Sequence, residues 1–313
     1  MRRETLYAGL FAAGLSGFVA WAAYAPRPIP RLISNHPDEL IWDLHSHTDA
    51  SHDGRRGFDI AANAAWHRAA GFDAGFITDH NTVALTPARD ERGRRQARPL
   101  AGVELSLSGL HLIVLGPRAP IANEPANQSW DSTLALIRRL RADSANPVLL
   151  VASLPEYWRH HWGPDIGAMM QAGVAGFEIW TSSPRGMEIP PRDRAEVMTR
   201  AADLDKPVFG ATDMHGIGRT ATVWNVMLMN RWRDLSDDSL QAAMVRYLRG
   251  GYRTNRVVVL GRFLPETALD RAFSAPINVA LLAGRGSVFH GLSLIAWLWL
   301  IVLVSRRIRR RSP

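Results

Sequence analysis

The sequence predicts an α/β fold in which a largely parallel sheet is closed, or nearly closed, into a barrel. Short apolar runs of strand length alternate with helical patterns between residues 39 and 265. This alternation is typical of parallel sheets, and a barrel is the commonest single-domain form of that arrangement. Two longer apolar runs, one near each end of the 313-residue chain, flank this region and predict membrane helices.

Eight strands and four helices are expected between the two flanking runs. The strands are Leu40 to Leu44, Gly75 to Thr78, Leu100 to Val103, His111 to Leu115, Val148 to Val151, Gly176 to Trp180, Pro207 to Gly210 and Val257 to Leu260. The helices are Asp59 to Ala70, Trp130 to Ala142, Asp193 to Ala202 and Ser236 to Leu248. Ser129 or Asp131 is expected to cap the second helix and Ser236 the fourth, because these side chains accept hydrogen bonds from first-turn amides.

The N-terminal run, residues 5–25, has about the length needed to cross a bilayer core of roughly 30 Å. It follows Arg2 and Arg3, as in a signal anchor. Its Ala-Tyr-Ala ending also resembles a signal-peptidase site, although Pro26 would hinder cleavage. Residues 1–25 are therefore predicted to be a membrane anchor or a signal peptide, and the proline-rich residues 26–38 a stiff spacer.

The C-terminal run, Val288 to Val304, is near the lower length limit for a spanning helix. A buried core helix is the alternative, but the run has no polar face, and Trp297 and Trp299 suit a membrane interface. A basic stretch follows immediately. We therefore predict a transmembrane helix over residues 286–305 and a basic cytoplasmic tail over residues 306–313.

The net charge of +8 is concentrated at the chain ends. Five positive charges follow the second run and one net charge precedes the first, which leaves only two between them. By the positive-inside rule, both tails are predicted to be cytoplasmic, with residues 39–265 outside the inner membrane. A nucleic-acid partner is not expected, because the barrel region carries little net charge.

The sequence contains no cysteine, which excludes disulfides, thiolate metal sites and cysteine nucleophiles. Instead, histidines and carboxylates follow several predicted strands. Alternate side chains of an extended segment point the same way, and all strand ends of a parallel barrel open onto one face. Nitrogen and carboxylate donors there would favour Zn²⁺, Mn²⁺ or Fe²⁺ over Ca²⁺ or Mg²⁺. The donors at the strand ends are His45, His47, His80, Glu104, Asp213 and His215.

The ordered motifs between about Trp42 and Gly216 resemble the polymerase and histidinol phosphatase (PHP) family of metal-dependent phosphoesterases. The motifs are DLHSHT from Asp43, SHDG from Ser51, TDHN from Thr78, GVELS from Gly102, HLIVLG from His111 and ATDMHG from Ala211. The resemblance implies a distorted seven-stranded (β/α) barrel that holds two or three divalent metal ions. It also implies a phosphoesterase, which is either a phosphatase or a phosphodiesterase. Together with the predicted location, this gives an enzyme acting outside the cytoplasm on a phosphorylated small molecule or nucleotide.

Carried over by position, the resemblance implies that one metal is held by His45, His47, Glu104 and Asp213, with Glu104 bridging to a second. Asp53, His80 and His215 would hold another metal, and His111 would join the one bridged by Glu104. Glu104, Asp213 and His215 are the implied catalytic residues.

The family usually has a histidine where this chain has Ser153. Glu156, His160 and His161 are nearby alternatives; otherwise that metal is weak or absent. Asp43 and Asp79 are expected to orient histidine rings, or else to cap turns, whereas His36 and His67 are expected at the surface.

Arginines near the strand ends are candidates to clamp a substrate phosphate, although surface arginines are as common. The four nearest in sequence are Arg55, Arg56, Arg185 and Arg219. Protonation of the leaving group is left open among His215, Asp53 and a water.

Two other functions are weighed. A lysine-bridged amidohydrolase is disfavoured, because Lys206 is the only lysine and precedes its strand, at the barrel face opposite the metals. A non-catalytic, membrane-tethered metal-binding module is the other, and Ser153 is its best support.

Overall fold

A computed structural model describes residues 3–24, 29–83, 97–121, 129–155, 166–182, 189–216, 221–260 and 288–311. The chain divides into two compact units. One comprises Pro30–Gly216 and Ala221–Leu260 and contains the whole sheet. The other includes the two terminal helices.

Nine strands form one sheet in the order β7-β6-β5-β4-β3-β2-β1-β8-β9. The strands are β1 (Glu39–Asp43), β2 (Ala74–Ile77), β3 (Arg98–Leu107), β4 (Leu110–Leu115), β5 (Leu149–Ser153), β6 (Gly176–Thr181), β7 (Val208–Ala211), β8 (Val223–Leu228) and β9 (Arg256–Val259). The predicted α/β sheet, nearly closed into a barrel, is confirmed, but the expected number of seven strands is wrong.

Two features account for this mixed, nine-stranded sheet. Ser108 and Gly109 join β3 to β4 directly, and a two-residue turn permits only an antiparallel neighbour. Strand β8 was not predicted, because its run VWNVML lacks a period of two and contains the polar Asn225. It pairs antiparallel with both β1 and β9.

Six longer helices lie within the described residues: α1 (Arg3–Tyr24), α2 (Ile60–Ala69), α3 (Trp130–Ala142), α4 (Pro191–Asp203), α5 (Asp237–Leu248) and α6 (Val288–Arg311). Residues 166–172 are also helical, and short 3-10 turns cover Trp232–Asp234 and Tyr252–Thr254. The Ser129 hydroxyl, rather than Asp131, caps α3 by accepting from the Ser132 amide. Ser236 caps α5 in the same way, as predicted.

The apolar core lies on both faces of the sheet. One cluster contains Trp42, Phe76 and Phe209, with the indole edge-on to both phenyl rings. The other packs β3 to β6 against α3 and α4 through residues such as Ile137 and Val197. This packing fixes the strand ends, where the polar motifs begin.

Side-chain amides join β7 to β8 and β9, and we call this junction the amide seam. Asn225 accepts from the Gly210 amide at 2.9 Å and donates to the Gly210 carbonyl at 2.6 Å. Asn255 donates to the Val208 carbonyl and to Asn225 and accepts from the Trp42 indole. Strands β7 and β8 approach so closely here that a Cβ added at Gly210 would lie 2.0 Å from a methyl group of Val223.

Replacing Asn225 by leucine should destabilise the fold strongly. Asn225 is fully buried, so the variant would leave the Gly210 amide and carbonyl without partners, at about 1–3 kcal/mol for each buried group. Urea unfolding followed by circular dichroism should show the loss. Leu228→Ala, on the same strand but 57% exposed, is the control and should change stability little. Equal stability of Asn225→Leu and the parent protein would contradict the seam's importance.

The prediction of two membrane-spanning helices, and with it the inner-membrane location, is wrong. A spanning helix needs about 20 consecutive, mostly apolar residues. Over the parts of the chain that the structure describes, no helix combines sufficient length with sufficient apolar character to cross a membrane.

Candidate metal centre

The chain segments that follow β1, β2 and β7 continue the sheet pairing beyond those strands, and the segment after β2 pairs with Glu104 inside β3. Ser46 bridges in parallel to Met214, and His80 bridges in parallel to Glu104. The His47 amide donates to the Met214 carbonyl at 2.8 Å, and the Asp213 amide donates to the His45 carbonyl at 3.0 Å. This register brings the predicted donors of distant motifs to one end of the barrel.

Four side chains converge most tightly, and we call them the inner group: His45, His47, Glu104 and Asp213. The two Nε2 atoms lie 2.9 Å apart, and each is 3.1 or 3.2 Å from the same Glu104 oxygen. Asp213 Oδ1 is 3.6 Å from His45 and 3.4 Å from His47. A tetrahedral ion with bonds of 2.0–2.1 Å would hold its ligands about 3.3–3.4 Å apart. The inner group therefore matches the dimensions of a metal site.

The outer group consists of Asp53, His80 and His215, next to His47. Asp53 Oδ2 lies 2.9 Å from His215 Nε2 and 3.4 Å from His80 Nε2. These donors could also hold a metal ion with His47, and they are more exposed than the inner group, since the Asp53 side chain is 38% accessible.

Glu104 lies between the inner group and a further set of nitrogen donors. One carboxylate oxygen faces His45 and His47, whereas the other is 2.6 Å from His111 Nδ1. His80 Nδ1 is 3.4 Å from the same Glu104 oxygen that faces His45 and His47. Seven of the eight residues expected to bind metal thus fall into three sets that each could hold an ion, and the eighth, Asp213, lies against His45 and His47.

The charges of the inner group depend on one another. Burial alone would raise the pKa of Asp213 and of Glu104, but the neighbouring histidines hold both well below their usual values. Burial would lower the pKa of His47, yet Asp213 and Glu104 raise it to about 9. Two buried carboxylates therefore require positive charge beside them, which protons or a cation can supply.

The donor chemistry fits a divalent metal. His47 Nδ1 is buried and has no hydrogen-bond partner within the described ranges, so the ring is held among polar groups through Nε2, the atom that faces the inner group. The two Nε2 atoms at 2.9 Å both face carboxylate oxygens, an arrangement in which a cation satisfies all the lone pairs together. Asp213 also has a left-handed backbone with φ of 50°, which is uncommon outside glycine and concentrated at functional sites.

Of the two carboxylates expected to orient histidine rings or to cap turns, Asp43 contacts the ring of His67, whereas Asp79 binds Thr48. Asp79 accepts from the Thr48 amide and hydroxyl, both at 2.6 Å, and so fixes the chain beside His47. Asp43 accepts from the Thr212 amide and hydroxyl beside Asp213, and from His67 Nε2 at 2.8 Å. The surface position predicted for His67 is therefore wrong, since it is buried against Asp43.

The expected phosphate-binding arginines remain predictions. Arg55 is exposed; its amide donates to the His215 carbonyl and its guanidinium to that of Gly216. Arg56 is also exposed. Arg185 and Arg219 lie outside the described residues, as do Glu156, His160 and His161.

Glu178 is a site residue that the sequence analysis missed. It lies in β6 and is 1% exposed. It lines the cavity that the predicted metal ligands also line, and its Oε2 is 3.1 Å from His45 Nδ1. Burial raises the pKa of this carboxyl, although His45 acts in the opposite direction. The available signal was its place inside the apolar run GFEIW, because a glutamate is almost never fully buried without a partner.

Neither protein-family models nor curated proteins match this chain. Among solved structures it is similar to PsfC from Pseudomonas syringae PB-5123, with 16% identity and a TM-score of 0.50 over 79% of this chain and 99% of that chain. At this identity the similarity shows a shared fold only.

Two weaker similarities support no conclusion about this chain. One is to an amidohydrolase from Chromobacterium violaceum with bound sulfate and no metal, at 16% identity and a TM-score of 0.35, over 56% of this chain and 87% of that chain. The other is to Endonuclease Q bound to a 27-mer duplex substrate with an abasic lesion, at 12% identity and a TM-score of 0.41. It covers 66% of this chain and 56% of that chain.

Proposed function

We propose that this protein is a metal-dependent phosphoesterase of the PHP type, acting on a phosphorylated small molecule or nucleotide. The observation that carries the proposal is the position of Glu104. One of its oxygens faces His45 and His47 and the other faces His111, and a carboxylate that bridges two ions is placed in this way. Paired ions sharing a bridging ligand are typical of enzymes that hydrolyse phosphoesters.

The inner group would hold one ion, Glu104 with His80 and His111 would hold a second, and the outer group with His47 could hold another. Because the donors are imidazoles and carboxylates without sulfur, Mn²⁺, Zn²⁺ and Fe²⁺ are the candidate metals. Bound ions would lower the pKa of a water and neutralise charge on the phosphoryl oxygens. Glu104 and Asp213 would hold those ions in place. Because His45, His47 and Glu104 are buried, they would keep bulk water away from the inner side of the site.

The exposed rim carries groups suited to the substrate. Asp53 and His215 are the more accessible members of the site, and Arg55 is tied by its amide to the His215 carbonyl. An arginine can bind two phosphate oxygens at once. We assign to Arg55 the capture of the substrate phosphate at this rim.

A lysine-bridged amidohydrolase centre has no support in the described geometry. Lys206 precedes β7, whereas Asp213 follows it, so the two lie beyond opposite ends of the same strand. Lys206 lines a separate cavity with Arg141 and Arg249.

The test combines metal analysis with a panel of phosphomonoesters and phosphodiesters. The purified full-length protein should contain at least two transition-metal ions per chain, measured by mass spectrometry, and hydrolyse at least one ester class. A chelator should abolish the activity, and Mn²⁺, Zn²⁺ or Fe²⁺ should restore it. Metal-loaded protein that hydrolyses no phosphoester would overturn the proposal and favour a non-catalytic metal-binding module.

A further inference from the structure

A row of polar side chains crosses four neighbouring strands at the edge of the metal centre. Ser106 of β3 is the register partner of His111, His111 of Ser153, and Ser153 of Glu178. Directly opposed residues point to the same face of a sheet. Glu178 therefore lies one strand beyond Ser153, the position at which the PHP resemblance expects a histidine.

Glu178 contacts the metal centre through His45. Its Oε2 is 3.1 Å from Nδ1 of that ring, whereas Nε2 of the same ring faces His47, Glu104 and Asp213. A neutral imidazole carries one N–H, and the nitrogen that bears it is set by the partner of that nitrogen. A carboxylate at Nδ1 keeps the proton there and leaves the Nε2 lone pair directed into the inner group.

We propose that Glu178 is the positioning residue of this centre, which fixes the tautomer and ring orientation of His45 for metal binding. The inference rests on the proposed metal-dependent function and assigns a role to a residue that the metal site itself does not use. Ser153 supports it, because its hydroxyl donates to Glu178 and so holds the carboxylate toward His45.

A second buried carboxylate–histidine pair in the same fold provides the contrast. His67 Nε2 is 2.8 Å from Asp43, and its Nδ1 is 2.9 Å from the Asn63 carbonyl. Both nitrogens of His67 are thus engaged within the protein, which leaves no lone pair for a metal. His45 differs in having one nitrogen on Glu178 and the other among the inner-group donors.

The experiment measures Zn²⁺ and Mn²⁺ affinity of Glu178→Ala, Glu178→Gln and the parent protein by competition with a chromophoric chelator. Loss of a carboxylate behind a metal-bound histidine typically weakens affinity about 10–100-fold. Glu178→Ala should reach that range. Glu178→Gln should lose less, because its carbonyl oxygen can still accept from Nδ1–H. ¹⁵N NMR of the histidine rings in the Zn²⁺-loaded proteins should show the Nδ1–H tautomer of His45 in the parent protein and a mixture in Glu178→Ala.

His67→Gln is the matched control, since it breaks the other buried pair and should lower stability without weakening metal binding. Glu178→Ala with parental affinity and an unchanged His45 tautomer would overturn the positioning role, as would an equal loss in His67→Gln. If Glu178→Ala does not fold, Glu178→Gln decides. A parent protein that binds metal and hydrolyses esters while both Glu178 variants bind equally well would defeat only this inference. A parent protein that binds no metal would defeat the proposed function as well.

Discussion

Replacing Glu104 by glutamine should lower phosphoester turnover by more than about a hundredfold, the scale expected when a principal electrostatic contributor is removed. The amide would present one neutral oxygen where the carboxylate presents two charged ones. Glu104 contacts His45, His47 and His111, so both proposed ion positions would be disturbed together. The measurement is kcat with the best ester of the panel at saturating metal.

The fold should survive Glu104→Gln, because the side chain lies at the barrel end and the amide is of similar size. Circular dichroism and urea unfolding would verify this. Ser153→Ala is the companion variant: it alters the same cavity without removing a charged donor, and it should reduce turnover much less. Full activity in Glu104→Gln would contradict the bridging role and with it the proposed mechanism.

The double variant His45→Ala, His47→Ala should lose at least one metal ion per chain. These rings supply two of the four donors of the inner group, and their Nε2 atoms are 2.9 Å apart. Two carboxylates alone would bind a transition metal far less well, because imidazole is the softer donor that such ions prefer. The number of metal ions per chain is measured by mass spectrometry after gel filtration.

His36→Ala is the control for metal content, since His36 is exposed and is not among the grouped donors. It should retain the parental number of ions. A double variant that keeps the full metal content would place the metals elsewhere and contradict the assignment of the inner group.

Several candidate donors could be predicted because each follows a short predicted apolar strand within a compact motif. That pattern was visible for His45, Glu104 and Asp213, and parallel strand ends meet at one face. Glu178 was missed because it lies inside the predicted strand Gly176 to Trp180 rather than after it, and only its burial in the structure marks it as unusual.

Parts of the fold also lay beyond the sequence pattern. Asn225 made β8 look too polar for a strand, and only the approach of β7 explains why an amide is buried there. His67 appeared to be a surface residue because its partner, Asp43, is distant in sequence. The terminal runs show the reverse error, since their length, apolar composition and flanking arginines predicted spanning helices that the described residues do not provide.

We expect closure of the barrel at the amide seam to be thermodynamically linked to cation binding. Asn225 of β8 and Asn255, just before β9, hold β7, and the chains that follow β1 and β7 are joined within the metal centre by the hydrogen bond from the Asp213 amide to the His45 carbonyl. An ion bound by both His45 and Asp213 would link the chain segment that follows β1 to the segment that follows β7. Because linkage is reciprocal, if a bound ion stabilises the closed seam, the closed seam strengthens ion binding by the same free energy. Native-state hydrogen exchange of the Gly210 amide should therefore slow when metal is added.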